Sequence, residues 1–332
     1  MSDTVHQHQM QSQWQPPAQQ QQQQQQQIDI GELKIPTSFG HLSAKTWGID
    51  EPNRLHILAV HGWSDNAGTF DRLIPLLPLK KLYVVAIDLP GHGSSCHLPP
   101  GSIYTDLIWA IYLKHTLDHL EWKHNVTIMA HSMGACASLE LSVLFPEMVS
   151  NLIMFDSIKP RVFPSERISL EMATNIETIC HAQMNRFSTR STMYFDMERA
   201  IDLIIETHTN GRLDRRSARC LMERAVETNR DGRFRFKRDA RLNYPINRKM
   251  NADRMLTYLS NIRCRLMIIR ARGRHHTLRC EHDTQFIQMY HKSCDDFQFI
   301  EVDGDHYVHL TQPENVVEHV CQFIRPLLDQ LD

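Results

Sequence analysis

The residues with the clearest chemical potential are Ala130-His131-Ser132-Met133-Gly134. The apolar run Val126-Thr127-Ile128-Met129 leads into them, and the small residues Gly134, Ala135, Cys136 and Ala137 follow. That order predicts a buried strand, a sharp turn and a helix, with Ser132 at the apex. Such a turn lifts the hydroxyl clear of a sheet and aims the first N–H groups of the helix at an atom beside it. The chemistry this suits is attack of an activated serine on an acyl carbonyl. The first position of the pattern is Ala130 rather than Gly. Alanine is the next smallest residue, so close strand–helix packing is expected to survive. A serine capping an ordinary helix would look the same over five residues, so the decision rests on residues elsewhere.

Acyl transfer needs a base, an acid that orients the base, and donors for the oxyanion. The base is expected after the last strand, where Gly304-Asp305-His306-Tyr307-Val308-His309 places His306 first and His309 as the alternative. The oxyanion donors are expected to be the backbone N–H of Met133 and that of Trp63, in His61-Gly62-Trp63 after the first central strand. Gly62 allows the tight turn there, and the Trp63 indole can line the pocket.

These residues need a frame. Glu32–Ile35 and His41–Trp47 read as a hairpin. Leu55–Val60, Leu82–Ile87, Asn151–Phe155, Arg265–Arg270 and Phe297–Val302 read as short apolar strands. Helices are expected over Phe70–Leu77, Ser102 to about Leu120, Thr284–His291 and Glu314–Arg325, the last stopping before Pro326. Strands alternating with helices predict an α/β fold, a mostly parallel central sheet with helices on both faces. Residues 157–261 carry few strand signals and helical stretches such as Ser165–Ile179 and Ala200–Ile205. They are expected to form a helical cap over the C-terminal sheet edge, where such folds bind ligands. The division is then a core of 28–156 and 262–332, the cap, and a disordered tail at 1–27. That tail ends in nine glutamines, Gln19–Gln27, and cannot bury enough apolar surface to offset its ordering entropy.

The chain has 332 residues, 42% of them hydrophobic, enough for a large core. Lys and Arg total 36 against 38 Asp and Glu, a balance that points neither to nucleic acid nor to a membrane surface. Between Arg212 and Arg274 there are 19 Lys or Arg and 6 Asp or Glu, which reads as a solvated surface or a preference for anionic partners. The eight cysteines include no C-x-x-C pair and are expected to be reduced, mostly buried thiols of a cytoplasmic protein. No signal peptide or membrane span is apparent. His275, His276, Cys280 and His282 lie close together but match no zinc spacing, so no metal is expected.

The motifs, in their order, resemble the α/β-hydrolase superfamily, and more closely its serine hydrolase-like (Kraken-type) proteins. The resemblance rests on His61–Ala67, Phe70–Leu77, Pro90-Gly91-His92-Gly93, Ala130–Gly134, Phe145–Val149, Asp231–Asp239 and the His306 region. It implies an esterase-like serine hydrolase with a nucleophile elbow, a catalytic triad and an oxyanion hole. Such an enzyme cleaves a small-molecule carboxylic ester or related acyl bond without a cofactor. A serine at the elbow argues against the epoxide hydrolases and haloalkane dehalogenases of the superfamily, which place Asp there. The superfamily usually carries its acid after the penultimate strand. Here that loop, Ala271–Leu278, has no carboxylate, and Glu281 and Asp283 come late. A second position used in the superfamily follows the strand after the elbow, and Asp156 occupies it. Asp156 is therefore the first candidate, with Asp283 and Glu281 behind. A chain with no acid would be a weak enzyme or a binding protein of the same fold.

Overall fold

Apolar runs too short for helices become the strands of one eight-stranded sheet. The computed structural model describes residues 29–184, 193–207, 213–273 and 282–331. The chain opens with a hairpin, β1 (Ile30–Thr37) and β2 (Gly40–Trp47), then β3 (Leu55–Val60) and β4 (Leu82–Ile87). Helix α1 (Asp106–His119) precedes β5 (Val126–His131), α2 (Met133–Leu144) and β6 (Val149–Phe155). Next come α3 (Ile168–Met184), α4 (Met197–Thr207), α5 (Arg215–Ala225), the short strands β7 (Val226–Thr228) and β8 (Phe234–Phe236), and α6 (Ala252–Leu259). The order closes with β9 (Arg265–Ala271), α7 (Asp283–Ser293), β10 (Phe297–Val302), α8 (Val308–Thr311) and α9 (Glu314–Leu328).

The sheet order is β1-β2-β4-β3-β5-β6-β9-β10. Only the β1/β2 and β2/β4 joins are antiparallel; the others are parallel. β3 lies between β4 and β5, so the chain works outward on one side of β3 and then on the other. Loops leaving the ends of β3 and β5 therefore diverge and open a crevice. Side chains alternate between two cores. Leu58, Val60, Ile128, Ala130 and Met154 pack with Trp109, Leu139 and Phe286 on one face. Ile57, Ala59, Met129 and Phe155 pack with Phe70, Leu73, Val320 and Phe323 on the other. A third cluster joins α4 and α5 through Ile201, Ile204, Ala218 and Leu221 and reaches Tyr307 and Leu310 of the core.

Several expectations change. Phe70–Leu77 forms no α-helix; Ala67–Phe70 and Ile74–Leu76 are separate 3₁₀ turns. Pro75 supplies no N–H and disfavours helical backbone in the residue before it. The segment between β6 and β9 is not wholly helical, because β7 and β8 form an antiparallel ribbon. α9 runs through Pro326; only one backbone bond is lost there, and buried Phe323, Ile324 and Leu328 hold the final turn against the core. Of seven free cysteines among the described residues only Cys264 is fully buried. The basic excess is matched in part by carboxylates: Arg215 pairs with Glu198 and Asp202, Arg235 with Glu227, Arg241 with Asp239. The glutamine tail, Glu281, His275, His276 and Cys280 lie outside the described residues.

Candidate active site

Ser132 sits between β5 and α2 with φ 50° and ψ −112°, a left-handed backbone that a residue with a Cβ rarely adopts. The strain is held from several sides. The Ser132 N–H donates to the Phe155 carbonyl at 3.1 Å, which ties the turn to β6. A Cβ on Gly134 would lie 2.4 Å from the His61 carbonyl oxygen, and one on Gly62 would lie 2.7 Å from His131 Nδ1. The loop after β3 and the start of α2 therefore pack against each other through two glycines. Met133 and Trp63 line one cavity with Ser132, and Met133 opens α2, where N–H groups have no intrahelical acceptor.

His306 lies in the loop after β10, with its Nε2 2.9 Å from Ser132 Oγ. Its Nδ1 is 2.5 Å from Asp156 Oδ2. The carboxylate assigns the proton to Nδ1, so Nε2 carries the lone pair that accepts from the hydroxyl. Asp156 is 2% exposed, and its Oδ1 accepts the Ala271 N–H at 3.0 Å. The Asp156 carboxylate is thus oriented by the penultimate strand although the residue itself follows β6. Gly304, at φ 143°, lets the His306 loop turn; a Cβ there would lie 2.6 Å from Val308 Cγ2.

The other candidates are placed differently. His309 is buried and shares a 2.9 Å hydrogen bond with Thr69 Oγ1, stacked on Phe155. Asp283 pairs with Lys159 at 3.4 Å and Arg270 at 3.5 Å rather than with His306. His131 is a residue whose part the motif alone does not disclose. Its Nε2 donates to the His306 carbonyl at 2.8 Å, so the residue before the serine anchors the loop that carries the histidine. The pairing spans 175 positions and leaves no local pattern; its only signal is a histidine at the end of a wholly buried strand.

Four histidines around this centre, His61, His92, His131 and His309, are fully buried. Burial lowers all of them, His309 to about 3. The unfolded chain protonates its histidines near pH 6.5. The folded chain keeps these four neutral, so it takes up fewer protons on acidification and loses stability as pH falls below about 6.5. Asp65 and Asp71 work the other way: burial pushes them up to about 7 and about 6, and each offsets one histidine as it protonates in the folded chain. The urea midpoint is expected to drop as pH falls from about 7.5 to about 5.5, by roughly 1.4 kcal/mol of unfolding free energy over that whole span for each histidine not offset.

Residues 57–319 match the model of the alpha/beta hydrolase family. The chain belongs to the alpha/beta hydrolase family. It is 34% identical over 301 residues to a serine hydrolase-like protein of Danio rerio, covering 89% of this chain and 88% of the relative. It is 32% identical over 304 residues to a probable serine hydrolase of Drosophila melanogaster, covering 89% and 87%. A hypothetical protein from Pseudomonas aeruginosa PAO1 shares the fold with a TM-score of 0.76 at 23% identity, covering 91% of this chain and 99% of that one. In this hydrolase the cavity beside Ser132 has a volume of about 870 Å³. Sheet-edge residues, the segment 157–164 and the segment 245–250 line it together. No helix among the described residues is long and apolar enough to cross a membrane.

Proposed function

We propose that this hydrolase cleaves a carboxylic ester or related acyl bond through an acyl-enzyme on Ser132. The observation that carries the reading is the unbroken chain Ser132 Oγ–His306 Nε2–His306 Nδ1–Asp156 Oδ2 at 2.9 and 2.5 Å, starting from a strained turn. Ser132 Oγ attacks the acyl carbonyl while His306 Nε2 takes its proton. Asp156 stays ionised and stabilises the imidazolium through Nδ1–H. The Met133 and Trp63 N–H groups hold the oxyanion of the tetrahedral intermediate. His306 then gives its proton to the departing alcohol, and a water activated by the same nitrogen releases the acid. Residues 157–261 act as a cap, since their segments supply much of the cavity wall. The catalytic steps use side chains and backbone alone. A binding protein without turnover would be favoured by a missing acid; Asp156, bonded to His306, counts against it.

Labelling with a fluorophosphonate probe tests the reading. The wild-type chain should label at Ser132, and Ser132→Ala should not label or hydrolyse short-chain esters. A folded wild type that stays unlabelled under conditions that label a control serine esterase overturns it.

A further inference from the structure

The cavity wall holds more positive charge than it can neutralise. Its carboxylates are all engaged. Asp156 is bonded to His306, and Asp106 and Glu140 both bind Arg248. Asp283 lies between Lys159 and Arg270, and Glu171 pairs with Arg167 at 2.8 Å. Two cations on the wall remain, Arg161 and Lys249. Among the described residues neither side chain makes an ion pair or a hydrogen bond. Both instead lie over one buried ring, Phe163: Lys249 Nζ is 4.3 Å and Arg161 Cζ 4.8 Å from its centroid.

The pair is built rather than incidental. Arg161 and Phe163 sit on the segment after β6, between Pro160 and Pro164. Lys249 sits on a different segment, and the Phe163 N–H donates to the Met250 carbonyl at 2.9 Å, which fixes the two segments to each other. The same strap is held at its other end by the buried Tyr290 hydroxyl, which donates to the Ile158 carbonyl at 2.7 Å. Burial lowers Lys249; Glu171 and Asp106 pull it up at longer range, and the Arg161 charge pulls it down. A half-buried ammonium beside a second cation, without a bonded counterion, gains most from an anion brought by a ligand.

We propose that the cavity selects acyl substrates with a second, anionic group, a carboxylate or a phosphate, seated between Arg161 and Lys249 while the acyl carbonyl meets Ser132. The proposal rests on the serine hydrolase reading. It deepens that reading to a class: monoesters whose acyl chain ends in an anion.

The test uses chromogenic esters of matched length, ending in a carboxylate, a phosphate, a methyl group or an ammonium, over a series of chain lengths. Wild type should favour an anionic over the methyl-ended ester at some length by about tenfold in kcat/KM, ~1.4 kcal/mol. Comparing the carboxylate and phosphate arms tells which anion the site prefers. In Arg161→Gln/Lys249→Gln the ratio should fall towards one. In Lys249→Glu it should shift towards the ammonium-ended ester, a gain that misfolding cannot mimic. A wild-type ratio of one or less at every length, or a ratio unchanged in the double variant, overturns the proposal. If wild type hydrolyses none of the esters, the serine hydrolase reading fails, and the subsite is judged by calorimetry instead. Suberate and an ω-phospho fatty acid are titrated into Ser132→Ala. Binding that disappears with Arg161→Gln/Lys249→Gln supports the subsite; no binding of either anion overturns it.

Discussion

Asp156→Asn is expected to lower kcat by about 10⁴ while the chain stays folded. The size follows from which atoms the two oxygens of Asp156 serve. Oδ1 accepts the Ala271 N–H and Oδ2 accepts His306 Nδ1–H. An asparagine in this place keeps its oxygen on the Ala271 N–H, since the alternative sets two donors face to face. Its amide NH₂ then faces Nδ1, which must present a lone pair, so the imidazole proton moves to Nε2. That nitrogen lies 2.9 Å from Ser132 Oγ and would no longer accept the hydroxyl proton. The loss should appear in kcat, with KM for a neutral ester little changed, because the substituted group never touches the substrate. Labelling by the fluorophosphonate probe should slow in parallel. Steady-state kinetics of Asp156→Asn and Asp283→Asn on one ester separates the two carboxylates. A loss of this size from Asp283→Asn, with Asp156→Asn close to wild type, would move the acid to the later position.

The contrast between the two carboxylates marks where sequence reading stops. Strands of the parallel sheet are legible because both of their faces are buried, so they read as unbroken apolar runs bounded by turns. Leu55–Val60 and Leu82–Ile87 carry the same limits in the sequence and in the structure, and so does the half-exposed edge strand Phe297–Val302. Ser132 stands out because it follows such a run, and His306 because it follows the last strand. Asp156 does too, yet nothing local tells whether its carboxylate faces the histidine or merely closes a strand. That is decided by Ala271 and His306, which are 115 and 150 residues away. Elements outside the sheet are harder for a related reason. Phe70–Leu77 has helical spacing, but Pro75 turns it into 3₁₀ pieces. The charge excess between Arg212 and Arg274 looks like an anion-binding surface until each cation is placed against its partner. Arg224, Arg241 and Arg248 are then spent on the protein's own carboxylates, and the unspent pair that faces the cavity includes Arg161, outside the counted stretch.

Arg224 also carries the second large expectation, one of stability. It projects from α5 into the core, where its Nε donates to Asp88 Oδ2 at 2.9 Å, and it also bonds Glu32. Asp88 is fully buried at the end of β4. Its carboxylate further accepts the Ala67 and Ser94 N–H groups, each at 2.7 Å, so one buried anion gathers the loops after β3 and β4 and the α5 helix. Arg224→Met removes the cation and leaves that anion with backbone donors only. Breaking a buried pair from one side costs about 3–5 kcal/mol, a large share of the ~5–15 kcal/mol that holds a domain together. The urea midpoint should fall accordingly. Arg224→Met combined with Asp88→Asn should cost less than the two single changes summed, because the uncompensated charge goes with the second change, although the amide NH₂ then faces one of the two backbone donors. A double-mutant cycle on unfolding free energies measures the coupling. Singles that merely add would mean the two groups act independently, with water rather than Arg224 compensating Asp88. The same cycle bears on the site, since α5 belongs to the insertion whose later segment carries Arg248 and Lys249 into the cavity wall. An insertion loosened at α5 should raise KM and lower kcat together, because Tyr307 and Leu310 beside His306 pack against α4 and α5.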